Sequence, residues 1–267
     1  MKLLTLSALF IVSTSALAAN YQSFNSINYL KVNTDTANST SYGASSIFFL
    51  NKKTSLGPLN EFEYINKTSN VFASFADSDN ANAYQLGGDF FVNKWLVGGS
   101  YNYLDTDNNN DDLYTLKLGY LISDNFLVKA QATRNHGDTF YNFSAAYNVQ
   151  LGGKDYIGFT YNTDENFDTQ TISSKYFTAL GQNNYLSAGL SYTRNDNSSN
   201  NLMASVGYYF NPNTSISAGY DNNDNYTISG KHFFNKNYAL SVGYNSNASA
   251  NDIDDYDLYS VTFTAQF

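Results

Sequence analysis

Residues 256–267 read Tyr-Asp-Leu-Tyr-Ser-Val-Thr-Phe-Thr-Ala-Gln-Phe, and their pattern indicates the fold class. Large apolar residues alternate there with small or polar ones. The first set is Tyr259, Val261, Phe263, Ala265 and Phe267, and the second is Ser260, Thr262, Thr264 and Gln266. A period of two places each set on its own face of a β-strand. The stretch therefore predicts a strand with one apolar face and one small, polar face.

The same alternation recurs along the whole chain between clusters of Asn, Asp, Ser and Gly. We predict sixteen strands, at residues 22–33, 41–51, 59–76, 81–92, 95–104, 112–122, 126–135, 139–151, 155–163, 167–180, 184–194, 201–210, 214–221, 226–234, 238–245 and 256–267. A tilted strand that crosses a membrane needs about 9–11 residues, which most of these segments supply. Because the first strand and the region 59–70 alternate poorly, a count of fourteen strands stays open.

In the region 59–70, odd-numbered and even-numbered residues do not each keep to one face of a strand. Glu61, Glu63 and Lys67 share one face, which would have to be luminal, whereas Val71, Ala73 and Phe75 then need a shift of register. A β-bulge near Thr68–Asn70 would supply that shift within a strand 59–76. Whether residues 52–70 instead enter and constrict the lumen stays open.

Composition excludes a helical membrane protein and disfavours a soluble one. After residue 20 the longest apolar run is Ile47–Leu50, whereas a transmembrane helix needs about 20 apolar residues. Only 14% of the 267 residues are charged, and the polar face of each strand carries few surface-type Lys or Glu residues. An apolar face toward lipid and a polar face toward a wet lumen fit this pattern. We predict an all-β, transmembrane, antiparallel up-and-down β-barrel.

Residues 1–18 have the features of a cleaved export signal. Lys2 is followed by a mostly apolar stretch, and Ala16-Leu17-Ala18 is a cleavage site of the A-x-A type. We therefore predict a signal peptide over 1–18 and one barrel domain over 19–267. The chain has no cysteine, so we expect no disulfide bonds to stabilise it after export.

The connections between the predicted strands alternate in length. Tight turns at one rim oppose longer Asn/Asp-rich loops at the other, over 77–80, 105–111, 195–200, 222–225 and 246–255. No predicted connection exceeds about ten residues. Aromatic residues at the strand ends suggest interfacial girdles, which near the tight turns would consist of Trp95, Phe126, Tyr156, Phe210, Phe234 and Tyr238.

Parity also places a set of polar residues on the luminal face. We predict as pore-lining residues Lys117, Lys129, Lys175, Lys231, Asp89, Gln85, Gln131 and Gln150. A lysine on the lipid face at mid-depth would cost about 2–4 kcal/mol, which favours the inward placement. Luminal lysines favour anions, while the acidic loops attract cations, so the sign of the ion selectivity stays open.

With these features the chain resembles Gram-negative outer-membrane porins, and the turn Leu56-Gly57-Pro58-Leu59 followed by Glu61 is similar to small porins of γ-proteobacteria. The resemblance implies an outer-membrane location, contact with lipid and lipopolysaccharide, and a homotrimer. It also implies a C-terminal insertion signal read by the barrel assembly machinery after periplasmic chaperones, formed by Tyr259, Val261, Phe263 and Phe267. General porins fold a long external loop into the channel, but the short predicted connections leave no such loop here.

The expected function is a passive, water-filled diffusion channel for ions and small hydrophilic solutes. The chain has two histidines, His136 and His232, no cysteine and no G-x-S-x-G motif, so we expect no enzymatic activity. We also expect no cofactor, no metal site and no nucleic-acid partner. A structural or adhesive outer-membrane barrel without an open pore is the alternative.

Overall fold

A computed structural model of the chain describes residues 19–34, 37–106, 110–247 and 255–267. The predicted signal peptide and parts of the predicted loops 105–111 and 246–255 lie outside these ranges. The sixteen strands are β1 (Asn20–Thr34), β2 (Asn38–Thr54), β3 (Asn70–Ser78), β4 (Ala81–Val92), β5 (Trp95–Thr106), β6 (Asn110–Ser123), β7 (Phe126–Asn135), β8 (Asp138–Gly152), β9 (Asp155–Asp164), β10 (Thr169–Ala179), β11 (Tyr185–Asn195), β12 (Asn201–Asn211), β13 (Thr214–Asp221), β14 (Asn225–Phe233), β15 (Tyr238–Asn247) and β16 (Tyr256–Gln266).

Each strand pairs antiparallel with its sequence neighbours, and β1 pairs with β16, so the sheet closes into a barrel. The closing register runs from Phe24 opposite Gln266 to Thr34 opposite Tyr256. Beyond it the Phe267 amide donates to the Ser23 carbonyl at 2.9 Å. Closure leaves no unpaired strand edge. The predicted fold class and the count of sixteen strands are confirmed, and the count of fourteen is wrong.

The two faces of the wall differ as the alternation predicts. On the outer face Leu116 is 70% exposed, Ile27 is 65% exposed and Leu86 is 63% exposed. The last strand shows the contrast within two residues, because Phe267 is 52% exposed and Gln266 is 2% exposed. Such an outer face is stable only against lipid, which is the arrangement of a membrane barrel. In the described part of the chain no helix is long and apolar enough to span a membrane.

The connection from β2 to β3 contradicts the sequence-based interpretation. The predicted strand 59–76 is wrong in its first half, because β3 begins only at Asn70, and the ladders of β3 with β2 and β4 show no bulge at 68–70. The connection therefore runs from residue 55 to residue 69, fifteen residues between Thr54 and Asn70. The expected limit of about ten residues per connection is also wrong. This connection lies at the rim that carries the tight even-to-odd turns, which we call the turn rim.

Candidate functional site: the inner segment and the lumen

Residues 55–69, which we call the inner segment, lie inside the barrel at the turn rim. The segment is tethered to distant parts of the wall through its backbone. The Leu59 amide donates to the Pro212 carbonyl at 2.9 Å, and the Leu59 carbonyl accepts from Gln266 Nε2 at 3.1 Å. At its start the Ala19 amide donates to Ser55 Oγ at 3.1 Å. These bonds join the segment to β16, to the β12–β13 turn and to the residue before β1.

Apolar side chains of the inner segment are buried in three clusters around the wall. Leu59 and Phe62 pack with Ala19, Tyr21, Phe24, Phe233 and Ala239. Leu56 and Tyr64 pack with Tyr156, Phe177, Tyr185 and Tyr209. Tyr64 and Ile65 pack with Phe91, Leu121, Leu127 and Ala146. Leu59 and Ile65 are fully buried, and a fully buried large apolar side chain contributes about 1.5–3 kcal/mol, so these two residues anchor the segment most strongly.

Two glycines make room for this packing. A Cβ at Gly158 would lie 2.4 Å from the Tyr64 ring, so only glycine at this position of β9 lets the ring lie flat on the strand. The Tyr64 hydroxyl reaches Thr160 Oγ1 on the same strand at 2.6 Å. Within the segment, Gly57 has φ = 139°, a conformation in which other residues are strained, and it sits against the Tyr185 ring.

Glu61 is the polar centre of the inner segment and is only 3% exposed. Its Oε1 accepts hydrogen bonds from the Tyr156 hydroxyl at 2.6 Å and from Lys175 Nζ at 2.7 Å. Its Oε2 accepts from the Tyr209 hydroxyl at 3.0 Å and from Lys175 Nζ at 2.9 Å. A buried carboxylate is tolerated only when it is paired and hydrogen-bonded, and these donors meet both conditions. They tie the middle of the segment to β9, β10 and β12.

The structure places the four predicted luminal lysines on the inner face, in different surroundings. Lys117 forms an ion pair with Asp89 at 3.2 Å, and Lys175 pairs with Glu61. Lys129 lines a cavity of about 570 Å³ beside the inner segment. Lys231 lies over the Phe233 ring at 5.5 Å and lines a smaller cavity of about 170 Å³.

The predicted polar residues occupy three levels of the lumen. Gln131 shares the cavity of Lys129, and Gln85 accepts a 3.4 Å hydrogen bond from Ser74 Oγ on β3. Gln150 donates to the Gly153 carbonyl at 3.0 Å and so lies at the β8–β9 turn, on the turn rim. The assignment of Tyr156 to the interfacial girdle is wrong, because its side chain is 2% exposed and bonds Glu61 inside the barrel.

The residues that anchor the inner segment were not identified from the sequence, although a signal for them exists. On β6, β10 and β14 the last or next-to-last inward-facing residue before the turn rim is large, apolar and buried; these residues are Leu121, Phe177 and Phe233. In a lumen filled entirely with water, these large apolar side chains would be exposed to water. Their presence indicates a dry core at one end of the barrel, which something inside must complete.

Comparisons with known proteins agree with this architecture. The sequence profile of the family described as "Putative general bacterial porin" matches residues 1–267. The chain belongs to this family. It is accordingly an outer-membrane porin, a passive diffusion pore, and porins of this fold are typically not enzymes. No curated protein matches the sequence significantly.

Solved porin structures share the fold of this porin at low sequence identity. The Acinetobacter baumannii outer membrane protein Omp33 is 17% identical with a TM-score of 0.57, covering 95% of this chain and 100% of its own. Pseudomonas aeruginosa OpdQ is 9% identical with a TM-score of 0.52, covering 93% and 98%. A mutant of the Rh. blastica porin is 10% identical with a TM-score of 0.53, covering 94% and 100%.

Proposed function

We propose that this porin conducts ions and small hydrophilic solutes through a lumen that the inner segment narrows at the turn rim. The observation that carries the proposal is a fifteen-residue segment, buried in three clusters, inside a closed sixteen-strand barrel. A barrel of this size otherwise leaves an aqueous channel. Width and charge beside the segment then decide which solutes pass, with no cofactor and no chemical step.

The predicted pore-lining residues take graded roles in this proposal. Lys129 and Lys231 face the solute path without an ion-pair partner in the described ranges, while Lys117 and Lys175 are largely neutralised by Asp89 and Glu61. Asp89, Gln85 and Gln131 complete the polar wall, and Gln150 lies where the path leaves the turn rim. Charged groups lining a pore bias which ions enter, so these residues would set a modest selectivity.

Planar-bilayer recordings test the constriction directly. We would compare the refolded wild-type chain from residue 19 with a variant in which residues 56–68 are replaced by a short Gly/Ser linker. We expect discrete, persistent conductance steps in both, severalfold larger in the variant. Equal steps would show that the segment does not limit the current, and no steps in either protein would refute the open pore. Heat-modifiable mobility on a gel verifies that both barrels are folded.

We further propose how the chain reaches the membrane. Residues 1–18 act as a signal peptide cleaved after Ala18, with Ala16 as the other small residue of the site. After periplasmic chaperones deliver the chain, the barrel assembly machinery reads Tyr259, Val261, Phe263 and Phe267, whose side chains are exposed on the outer face of β16 or just beyond it. N-terminal sequencing of the mature protein tests the first step, and a start other than Ala19 would contradict it.

The outer surface suggests the remaining partners. We propose that the apolar wall contacts outer-membrane lipid and lipopolysaccharide, and that part of it forms a homotrimer interface. Nucleic acid is not among the proposed partners, because the chain is acidic. Cross-linking in native outer membranes, followed by mass analysis, tests the trimer, and cross-linked species no larger than one chain would contradict it.

A further inference from the structure

One cavity beside the inner segment is built from six strands and the segment itself. Its wall comes from β4 to β9 and its end from Tyr64, Ile65 and Asn66 of the segment. Its volume of about 570 Å³ lies within the range of small-molecule sites, about 300–1,000 Å³.

Strand register places the polar groups of this cavity in two rows. One row runs from Asp89 on β4, past Gly98, to Lys117, Gln131 and Asn142. The next row toward the turn rim has Lys129 opposite Ser144, which lies opposite Asn162 on β9. Directly opposite residues of neighbouring strands have Cβ atoms about 4.5–5.5 Å apart, so the Lys129 row forms one polar patch.

Asp89 and Lys117 satisfy each other, and glycine makes this possible. Their strands are separated by β5, where Gly98 faces both, and a Cβ at Gly98 would fall 2.2 Å from Asp89 Oδ1. The absence of a side chain lets the carboxylate reach across β5 to Lys117 at 3.2 Å. The carboxylate thus forms its ion pair with Lys117 and lies beyond ion-pair distance of Lys129.

Lys129 is left as the unpaired charge of the cavity. Across residues 19–34, 37–106, 110–247 and 255–267, no carboxylate lies within ion-pair distance of its ammonium. Two lysines and one aspartate give the cavity a formal charge of +1. Within those same ranges the side chains of Ser144, Asn142 and Asn162 also form no hydrogen bond, so they are available to a ligand.

The end of the cavity toward the turn rim is apolar. Ile65, Phe91, Leu96, Leu127 and Ala146 line it, and several of them belong to the third anchoring cluster. A ligand that fits both sides has one anionic group and a compact hydrocarbon body. A fully hydrated inorganic anion would use only the polar half.

We propose that this cavity binds a small organic carboxylate, whose carboxylate group lies at Lys129 and whose hydrocarbon body lies on Ile65, Leu96 and Leu127. The proposal deepens the pore function by naming a solute class, and it rests on the lumen being the solute's route. Ligand binding is measured on the folded protein, separately from conductance. A protein that conducts but does not bind the ligand is therefore distinguished from one that does not conduct.

Equilibrium dialysis of labelled benzoate against the folded barrel, corrected with protein-free micelles, tests the site. Benzamide has the same shape without the charge, and phosphate has the charge without the ring. We expect benzoate to bind more tightly than either. Lys129→Gln should weaken benzoate at least tenfold, since it removes a charge-assisted hydrogen bond. The matched variant Lys154→Gln removes an exposed charge in the β8–β9 turn and should leave binding unchanged.

A second variant guards against a folding defect. Ser144→Asp keeps Lys129 but places a carboxylate directly opposite its side chain, so this variant should also abolish benzoate binding. Lys129→Arg keeps the positive charge and should retain benzoate binding. The proposal is overturned if benzamide binds as well as benzoate, if Lys129→Gln binds normally, or if Lys231→Gln is equally damaging. The last result would show that benzoate responds to the overall positive charge of the lumen and not to a site at Lys129.

Discussion

Replacing Glu61 by Gln should loosen the inner segment without leaving a cavity, because the two side chains have nearly the same shape. The amide group can still accept a hydrogen bond from Tyr156. Its –NH₂ end, however, cannot accept from Tyr209 or from Lys175, which both donate to Glu61 in the wild type. The substitution therefore places the –NH₂ group against the Lys175 ammonium and removes the acceptor of the Tyr209 hydroxyl, in a position that is 3% exposed.

The magnitude follows from these contacts. A hydrogen bond to a charged group contributes about 1.5–3 kcal/mol and a neutral one about 1 kcal/mol. The Lys175 side chain is 39% exposed and can be rehydrated, so its ion pair is discounted to less than about 1 kcal/mol. Loss of the Tyr209 bond and of charge assistance at Tyr156 brings the sum to about 2–3 kcal/mol. The population of the displaced segment should rise roughly thirty- to a hundred-and-fortyfold.

Thiol labelling measures this change without background because the chain has no cysteine. Ser55→Cys introduces a thiol at a position with 0% exposure, so its modification by a maleimide reports displacement of the segment. Glu63→Gln is the matched control in the same segment. Its side chain is 61% exposed and forms an i,i+4 ion pair with Lys67, so we expect a change of about 0.5 kcal/mol or less. Equal labelling rates in the two variants would refute the role assigned to Glu61.

Two further substitutions test the wall through the fluorescence of the single tryptophan during urea unfolding from lipid vesicles, and one deletion tests assembly. Gly158→Val should displace the Tyr64 ring and cost about 1–3 kcal/mol, and an unchanged midpoint would contradict that packing. Leu116→Lys puts a charge on the lipid face and should cost about 2–4 kcal/mol, whereas Gln131→Lys at the neighbouring luminal position should cost far less. Deleting Phe267 should slow assembly in cells more than it lowers stability in vitro; equal effects would argue against an insertion signal.

The strands could be predicted from the sequence because each residue of a barrel wall meets only two environments. Alternation along β16 assigns Phe263 and Phe267 to lipid and Gln266 to the interior, and the structure confirms each placement. The predicted boundaries of β4 and β7, 81–92 and 126–135, coincide with the observed ones. A local pattern of period two is sufficient to assign each side chain to a face wherever lipid and lumen are the two possible environments.

The inner segment could not be predicted in the same way because it meets a third environment, a dry core inside the barrel. Phe62 and Tyr64 alternate with Glu61 and Glu63, so locally they match a strand. What determines their true position is the shape of distant parts of the wall. A buried glutamate is stable there only because β9, β10 and β12 each supply a donor, and no property of residues 55–69 alone reveals those partners.

Two carboxylates inside the barrel have the same consequence for charge, because each is paired with one lysine of the wall. Glu61 removes Lys175 from the electrostatics of the path, and Asp89 removes Lys117. Lys129 and Lys231 have no ion-pair partner within the described ranges, so the luminal field there is positive although the chain carries a formal charge of -9. Net charge is dominated by exposed acids, whose field is screened over about 8 Å at physiological salt. Selectivity should therefore follow the unpaired luminal lysines, because a permeating solute passes much closer to them.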